Sequence, residues 1–319
     1  MKKNLIIDAS NLLYRTFFVY SKDKDAEDIL VGLCYQSALM LMNTYYRKFK
    51  PDQIIMVFDA VSWRKMYTSD LSTCITHKKY KGQRRKKLST SETEKLDLFD
   101  QHVTDFHDIL KKKTKIMILR GSYLEADYLI AGYVQKYDED DNIIVSMDKD
   151  FIQLLVNPNV TLIDPQKNQE RSLQEWDNDA DLFMFEKCIR GDASDNVQSS
   201  YPRIRKTKIV EAYNDDFVCA NIMEHEFKVP HIVDGNPIEL EYKTKELFKE
   251  NELLMDLTMQ PSVIKDIMKK SIKKEVKRIK KGKARFDYYA FMRFCAQCGM
   301  DKVVQNLESM SAMLSNKQN

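Results

Sequence analysis

The chain has 319 residues, of which 43% are hydrophobic and 31% are charged, so it can form one large domain or two modest ones around ordinary cores. Its net charge is only +3, but basic and acidic residues occur in separate clusters, which favours a polyanionic partner. No stretch reaches the ~18 apolar residues of a membrane helix, and the run before Asp8 is too short for a signal peptide, so we expect no membrane association.

The first 165 residues alternate between short apolar runs and longer segments with helical periodicity. β-branched residues are common in most of the apolar runs, as expected of buried strands. This alternation predicts βαβ units and therefore an α/β fold with a mainly parallel central sheet and helices on both faces. The predicted strands are 4–7, 53–58, 115–119, 142–146 and 160–163, and the predicted helices are 27–49, 92–111 and 123–137.

From about residue 180 the periodicity is mostly helical, with a break at residues 228–242. We therefore expect an α/β core over residues 1–190 and a helical C-terminal region over residues 191–319. The six cysteines form no dense framework, which predicts reduced thiols and a cytoplasmic location. The C-x-x-C pair at 295–298 lacks a second pair, so we interpret it as core or surface thiols, with metal binding or redox chemistry as the alternative.

Carboxylates recur where the predicted strands end, and ligands bind at that edge of open parallel sheets. Asp8, Asp59 and Asp148 each close one strand, although each alone is also explained as a helix cap. Nearby segments add further acids, namely Glu125, Asp127, Asp150, Asp192 and Asp195. Converging carboxylates repel one another unless cations lie between them. An oxygen-only set without His or Cys predicts two Mg²⁺ or Mn²⁺ ions, a pair that can hydrolyse a phosphodiester.

Two basic runs complement these acids. Residues 77–87, "HKKYKGQRRKK", lie in an insertion from about 62 to 112, where cations can neutralise phosphates and Tyr80 can stack on an unpaired base. The alternative is a solvated charged loop. Residues 265–285 keep an apolar stripe at helical spacing, which predicts an amphipathic helix with a cationic outer face. That helix could grip duplex DNA, contact lipid, or serve only as a surface helix.

Six motifs occur together in one order along residues 1–215. They are "IIDASNLLYR" (6–15), "VFDA" with "WRK" (57–65), "KYKGQRR" (79–85), "LEAD" (124–127), "SMDKDFIQLL" (146–155) and "GDASDNV" (191–197). The set resembles the 5′-nuclease family of flap endonucleases and 5′→3′ exonucleases, and within it the ribonucleases H of T-even-like bacteriophages most.

The resemblance implies an α/β core with a basic helical arch and a C-terminal DNA-binding region containing a helix-turn-helix-like element. It also implies Mg²⁺-dependent hydrolysis from the 5′ end of RNA–DNA hybrids, 5′ flaps and nicked duplexes, and hence removal of RNA primers during replication. The implied partners are these nucleic acids, a single-stranded-DNA-binding protein and a sliding clamp. The implied enzyme is a monomer in the cytoplasm of an infected host.

Carried over by position, the resemblance assigns roles to individual residues. The first metal would be held by Asp8, Asp59, Glu125, Asp127 and Asp148, and the second by Asp150, Asp192 and Asp195. Lys81 and Arg84 match residues that meet the scissile phosphate, and Asp148 is expected nearest the attacking water. The implied nucleic-acid contacts are Tyr80, Lys81, Arg84, Arg85, Arg203, Arg205, Lys206 and Lys208.

Two departures from the family pattern stand out. Tyr128 replaces an acid that many members have after "EAD", so one metal would bind more weakly. Residues 196–213 contain no glycine, so phosphate contacts there would depend on side-chain charge. Two competing interpretations are a ribonuclease of the related PIN fold and a catalytically silent protein that binds DNA junctions. The basic arch opposes the first, and the intact acid set opposes the second.

Overall fold

The computed structural model describes most of the chain as strands and helices in an α/β arrangement. The described residues are 1–21, 27–70, 74–76, 78–86, 88–233 and 236–316, with backbone only for 27–29, 85–86, 231–233 and 236–238. The strands are β1 Lys3–Asp8, β2 Gln53–Val57, β3 Met117–Leu119, β4 Asp141–Val145, β5 Val160–Asp164, β6 Gln169–Glu170, β7 Glu226–Val233 and β8 Asn236–Lys243. The helices are α1 Ala9–Tyr20, α2 Glu27–Phe49, α3 Trp63–Tyr67, α4 Gln83–Lys86, α5 Thr90–Lys113, α6 Ala126–Lys136, α7 Ala180–Arg190, α8 Lys206–Asn214, α9 Asp216–Met223, α10 Thr244–Met255, α11 Ser262–Lys280, α12 Tyr288–Gln297 and α13 Asp301–Leu314, with a 3₁₀ helix at Lys149–Val156 and another at Gln174–Trp176.

The central sheet has the strand order β3-β2-β1-β4-β5-β6. The first five of these strands pair in parallel, which confirms the predicted mainly parallel sheet. β6, which was not predicted, pairs antiparallel with β5. The chain progresses outward in one direction from β1 to β3 and in the other from β4 to β5. The strand order therefore reverses between β1 and β4, and a ligand site is expected at the carboxyl ends there.

Both faces of the sheet are covered, because alternate residues of each strand enter two different cores. Ile6 of β1 packs in one core with residues of α6, α7 and α11. Its neighbours Leu5 and Ile7 pack in the other core with residues of α1, α2, α5, α12 and α13. The predicted layering of helices on both faces is therefore confirmed. α5, the second half of the expected arch insertion, belongs to this packing through Phe99 and Phe106.

The C-terminal region is not helical throughout. An antiparallel hairpin, β7 with β8, occupies the predicted break. The last helices also pack on the sheet: Met268 and Ile272 of α11 enter one core, and Val303 and Leu307 of α13 enter the other. The boundary at residue 190 and the helix-turn-helix-like element both stay predictions. What the packing establishes is that residues on both sides of that boundary contribute to the same two cores.

All six cysteines are free thiols, and Cys295 of the C-x-x-C pair is buried. Across the described ranges, we find no helix with the length and apolar character required to cross a bilayer.

Gly32 in α2 tests how α12 docks on the core. An added Cβ at Gly32 would lie 1.8 Å from the carbonyl oxygen of Cys298, whereas at Gly132 in α6 it would lie 2.4 Å from the Met268 sulfur. Alanine stabilises a helix by about 1 kcal/mol relative to glycine at both positions. The side chain of Met268 can move away from an added methyl group, whereas the backbone of Cys298 cannot. We expect Gly32→Ala to lower the free energy of unfolding by about 1–3 kcal/mol, and Gly132→Ala to cost less, in urea denaturation. Equal losses would contradict this account of the docking.

Candidate active site

A cleft of about 1100 Å³ opens at the carboxyl ends of β1, β2 and β4. All eight acids singled out in the sequence line it, and so do Tyr80, Lys81 and Arg84. Neither His nor Cys occurs among the described residues of its wall. The predicted convergence of carboxylates from separate strands at one sheet edge is thus what the structure contains.

Asp8, Asp59 and Asp148 are held by backbone N–H groups at the starts of helices. Asp8 caps α1 by accepting from the N–H of Asn11 at 3.1 Å, and Asp148 caps the 3₁₀ helix by accepting from the N–H of Asp150 at 2.9 Å. Asp59 accepts from the N–H of Ala126 at 2.6 Å. Capping and cleft lining are therefore not alternatives: the cap fixes each carboxylate where the cleft needs it.

These three acids are also the ones that form no salt bridge in the described part of the chain. Burial and the neighbouring Asp59 raise the pKa of Asp8 well above its usual range. Burial and Glu125 raise the pKa of Asp59, and burial together with Asp150 raises that of Asp148 to about 7. Each shift has the sign expected when a carboxylate is removed from water beside another negative charge. An added cation would therefore be most favourable among these three.

Arg64 compensates the next two acids, and sequence reasoning missed it although it stands in the quoted "WRK". Its guanidinium is 1% exposed, lies 2.7 Å from Glu125, pairs with Asp127, and donates to the carbonyl of Leu254 at 3.0 Å. Burial raises the pKa of Asp127 to about 6 against the pull of Arg64. For Glu125 burial is outweighed by Arg64 and Lys81, and its pKa falls to about 2. Glu125 is therefore the firmly ionised member of the pair.

Two tyrosine rings enclose Arg64. The rings of Tyr80 and Tyr128 lie 4.7 and 4.5 Å from its central carbon, on the scale of a cation–π contact. Tyr128, the residue that replaces a family acid, is fully buried and does not line the cleft. Its position serves to hold Arg64 against the carboxylates.

Tyr80 differs from its expected role. The ring is 3% exposed, and its hydroxyl donates to Asp195 at 2.5 Å. A base cannot stack on a ring whose surface is already covered by protein. The structure therefore corrects the predicted stacking contact. Tyr80 instead packs on Arg64 and positions Asp195.

Lys81 and Arg84 are paired with carboxylates in the cleft. The ammonium of Lys81 donates to Glu125 at 2.5 Å and lies 3.7 Å from Asp195, and Arg84 contacts the other oxygen of Asp195 at 2.5 Å. The backbone N–H of Lys81 donates to the carbonyl of Asp195 at 2.8 Å. This basic segment is thus docked on the loop that carries Asp192 and Asp195, and Lys81 connects the two predicted groups of metal ligands.

Lys187 of α7 is a further cation that sequence reasoning missed. It forms an ion pair with Asp150 and lies 3.9 Å from Asp192. Burial raises the pKa of Asp192, but the Ser194 hydroxyl and Lys187 outweigh it and lower the net value. Two acids of the predicted second group, Asp150 and Asp192, therefore lie beside Lys187, whereas the third, Asp195, pairs with Lys81 and Arg84. In the sequence, the signal that could have indicated the role of Lys187 is its position five residues before Asp192, on the helix that leads to the loop.

The other predicted nucleic-acid contacts lie away from the cleft. Arg203, Arg205, Lys206 and Lys208 are exposed on the loop before α8 and in its first turn. Lys206 donates to the carbonyl of Glu175 at 3.0 Å and lies over the ring of Trp176. Lys208 lies 3.1 Å from Glu211. The side chain of Arg85 falls outside the described residues.

The donor set suits a hard divalent cation. Carboxylate oxygens without imidazole or thiolate are the ligands that Mg²⁺ and Mn²⁺ prefer. Among the described residues, however, no three of these acids stand together as a ready ligand group, because Arg64, Lys81 and Lys187 lie between them. The carboxylates are therefore of the kind that binds such ions. Arg64, Lys81 and Lys187 lie where they hold these carboxylates together.

Comparison with known proteins agrees with this geometry. Residues 3–182 match the family described as 5′-3′ exonuclease, N-terminal resolvase-like domain. A 5′-3′ exonuclease of Buchnera aphidicola subsp. Schizaphis graminum is 25% identical over 202 residues, which span 61% of this chain and 64% of that relative.

The solved structures that match include the D15 protein of bacteriophage T5, co-crystallised with metal ions. It has a TM-score of 0.61 and 18% identity, over 86% of this chain and 99% of that one. A complex of the T5 D15 flap endonuclease with DNA and metal ions also has a TM-score of 0.61, with 16% identity over 87% of this chain and 99% of that one. At these identities the likeness establishes a shared fold.

Arg64 and Arg84 form a matched pair for testing the role of burial. Both pair with cleft carboxylates, but the side chain of Arg64 is 1% exposed and that of Arg84 is 54% exposed. Removing one partner of a buried ion pair leaves the other charge uncompensated, which costs about 3–5 kcal/mol. An exposed pair contributes at most about 1 kcal/mol. We therefore expect Arg64→Met to lower the free energy of unfolding by several kcal/mol and Arg84→Met to change it little, in chemical denaturation. Similar losses in both variants would show that Arg64 does not hold the site together.

Proposed function

The chain belongs to the 5′-3′ exonuclease N-terminal resolvase-like family, and from this we propose that it is a metal-dependent nuclease that hydrolyses phosphodiesters near 5′ ends. The single observation that carries the proposal is the cleft, in which acids from three strand ends, the start of α6 and one loop lie beside Lys81 and Arg84. Acids alone would repel a phosphate, and cations alone would only bind it. Their combination suits hydrolysis assisted by divalent cations.

The proposed metal ligands are the eight cleft acids, and Mg²⁺ or Mn²⁺ held by them would supply Lewis acidity and charge neutralisation for phosphodiester hydrolysis. Asp148 uses one carboxylate oxygen to accept from the N–H of Asp150, which leaves the second oxygen for a ligand in the cleft, such as the attacking water. Asp8 is held by Asn11 and by the Ser146 hydroxyl at 2.8 Å, so its orientation is fixed before any substrate arrives.

Lys81 and Arg84 are proposed to bind the scissile phosphate and its neighbour. Arg84 can clamp a phosphate with its planar guanidinium, whereas Lys81 is a mobile point charge. Both are paired with carboxylates in the structure, so a phosphate competes with Glu125 and Asp195 for them. Substrate binding is therefore coupled to release of the same carboxylates that are proposed as metal ligands.

We propose finer assignments on the family resemblance. The substrates are RNA–DNA hybrids, 5′ flaps and nicked duplexes, and the reaction removes RNA primers in phage-type replication. Two Mg²⁺ ions serve as cofactors and Mn²⁺ substitutes for them. A monomer works with a single-stranded-DNA-binding protein and a sliding clamp. The exposed cations Arg203, Arg205, Lys206 and Lys208 contact the duplex beyond the cleft, within the proposed helix-turn-helix-like element.

The direct test is cleavage of a 5′-flap substrate labelled at its 5′ end, with Mg²⁺ and with EDTA. We expect cleavage near the junction with Mg²⁺ and none with EDTA. Asp148→Asn should abolish cleavage, whereas Asp150→Asn should retain a trace at high Mg²⁺, because Asp148 is expected nearest the attacking water. Glu308→Gln, an exposed neutralisation on α13, serves as the control and should cleave normally.

Three results would contradict the proposal in different ways. Binding of the flap without any cleavage would indicate a silent junction binder. Cleavage of single-stranded RNA without a requirement for a duplex would indicate a ribonuclease of the PIN type. Wild-type rates in Asp148→Asn would remove that carboxylate from the reaction.

A second prediction concerns stability. Because Asp8, Asp59 and Asp148 form no salt bridge in the described part of the chain, a divalent cation that binds only the folded protein should stabilise it. At a concentration of about 100 times its Kd, the gain is about 2.7 kcal/mol, measurable as a rise in Tm. NaCl at matched ionic strength should give a smaller rise, and Asp148→Asn should reduce the effect of Mg²⁺. A Tm indifferent to both Mg²⁺ and Mn²⁺ would argue against metal binding at these acids.

A further inference from the structure

A large excess of positive charge lies outside the cleft, in residues 265–285. Eleven Lys or Arg against two acids give this segment a net charge of +9. Because the whole chain carries +3, the remainder carries −6. Together with the basic run at 77–87, this segment therefore holds much of the positive charge of the protein, and its role is not explained by the cleft.

The segment forms α11 and the turn after it, and the helix sorts its residues by face. Met268 and Ile272 are buried in the core beneath the sheet, with Ile267, Val276 and Ile279 partly buried beside them. Seven lysines fall within about 140° of the helix circumference and are all exposed: Lys269, Lys270, Lys273, Lys274, Lys277, Lys280 and Lys281. We call these seven residues the lysine face.

The lysine face has no internal counter-charge. None of its seven members forms an ion pair or a side-chain hydrogen bond with the described residues. By contrast, Arg278 on the same helix pairs with the buried Glu275 at 2.7 Å and donates to the carbonyl of Ile116. The structure thus satisfies the one cation that faces inward and leaves the outward ones for solvent or for a ligand.

This arrangement costs stability in the free protein. Lys269, Lys273 and Lys277 follow one another at intervals of four residues, where like charges on a helix destabilise it by about 0.2–0.5 kcal/mol per pair. A helix needed only to cover the core could alternate Lys with Glu at these positions and remove the repulsion. A polyanion lying along the face would remove it as well.

The position of the face connects it with the cleft. Ser271 of α11 lies against Gly121, and the preceding residue, Arg120, lines the cleft. Arg278 contacts Ile116 at the opposite end of β3. The part of α11 that carries the lysine face therefore starts near the sheet edge that carries the cleft, and the face extends about 18 Å away from it.

We propose that the lysine face binds the phosphate backbone of the nucleic-acid duplex whose 5′ end lies in the cleft. This inference rests on the proposed nuclease function and adds a second contact surface to it. About 18 Å corresponds to roughly five phosphates of one strand. Lysine ammonium groups contact phosphates as point charges without selecting a sequence, as a nuclease that recognises 5′ ends requires.

A lipid surface is the less favoured ligand. Interfacial helices insert an apolar face rich in bulky side chains, but the apolar side of α11 is packed in the core. The exposed large apolar residue on this helix is Val263, six residues before the lysine face begins.

The test compares two triple variants that remove the same charge. Lys269→Gln, Lys273→Gln and Lys277→Gln are combined in the first, and Lys48→Gln, Lys249→Gln and Lys302→Gln, all exposed on other helices, in the control. Binding is measured by fluorescence anisotropy in EDTA across a salt series. The ligands are a single-stranded oligonucleotide and a hairpin with a 5′ overhang and a duplex arm of about 24 bp, so that only the hairpin offers a duplex that covers the ~18 Å face.

The first variant should bind the hairpin at least about tenfold more weakly than wild type at 0.1 M salt. Its log–log salt slope should fall by about 0.9 for each lost phosphate contact, up to three contacts. Its affinity for the single-stranded oligonucleotide and its single-turnover cleavage rate at saturation should match those of the control variant. Its Tm should equal or exceed that of wild type, because repulsion is removed.

Other outcomes overturn the proposal. Equal losses of affinity in the two variants would mean that total charge, rather than this face, matters. Unchanged hairpin binding, with loss of sedimentation on vesicles containing anionic lipid or loss of poly-glutamate binding, would assign the face to a membrane or to an acidic protein. Failure of the wild type to cleave any flap in Mg²⁺ would refute the nuclease function instead, and the hairpin affinities would still report separately on the lysine face.

Discussion

The constraint on which this structure depends is the repulsion among carboxylates gathered at one sheet edge. Two like charges 4 Å apart repel by about 4 kcal/mol at an effective dielectric constant of 20. The described wall of the cleft includes ten acids and six Lys or Arg, so the cleft remains net negative. The protein offsets this with N–H donors at helix starts, with raised pKa values, and with cations inserted between the acids.

The inserted cations differ in whether they can leave. Arg64 is enclosed by two aromatic rings and by Glu125 and Asp127, so it belongs permanently to the scaffold. Lys81 and Lys187 have flexible side chains that are about one-fifth and one-tenth exposed, and Lys81 lines the cleft. A phosphate can draw Lys81 away from Glu125, whereas nothing that enters the cleft can reach Arg64 without unfolding its surroundings. The cations that compensate the acids therefore include a fixed one, Arg64, and an exchangeable one, Lys81.

Most of the sheet and the acid cluster could be predicted because they depend on local pattern. An apolar run that ends in Asp8 or Asp59 indicates both where the strand lies in the sequence and at which edge of the sheet its acid lies. The hairpin β7–β8 was missed because Pro230 and Pro237 interrupt its apolar alternation, and it was interpreted only as a break. Arg64 and Lys187 were missed for another reason. Their importance comes from which carboxylates the fold brings beside them, and spacing along the chain does not contain that information. Tyr80 shows the same limit, since an aromatic residue in a basic run can as well be buried as exposed.

The separation of charge between the cleft and α11 follows from the same repulsion. A nucleic acid brought to a net negative cleft meets carboxylates before it meets Lys81, so the cleft by itself gives little long-range attraction. Cations placed among the acids form ion pairs with them, as the contacts of Arg64, Lys81 and Lys187 show. Charge intended for a polyanion must therefore stand where no acid can neutralise it. α11 meets that condition, because its inward face is apolar and its single buried acid, Glu275, is already matched by Arg278. A chain with a net charge of only +3 can in this way hold a carboxylate site and still present an uncompensated cationic surface beside it.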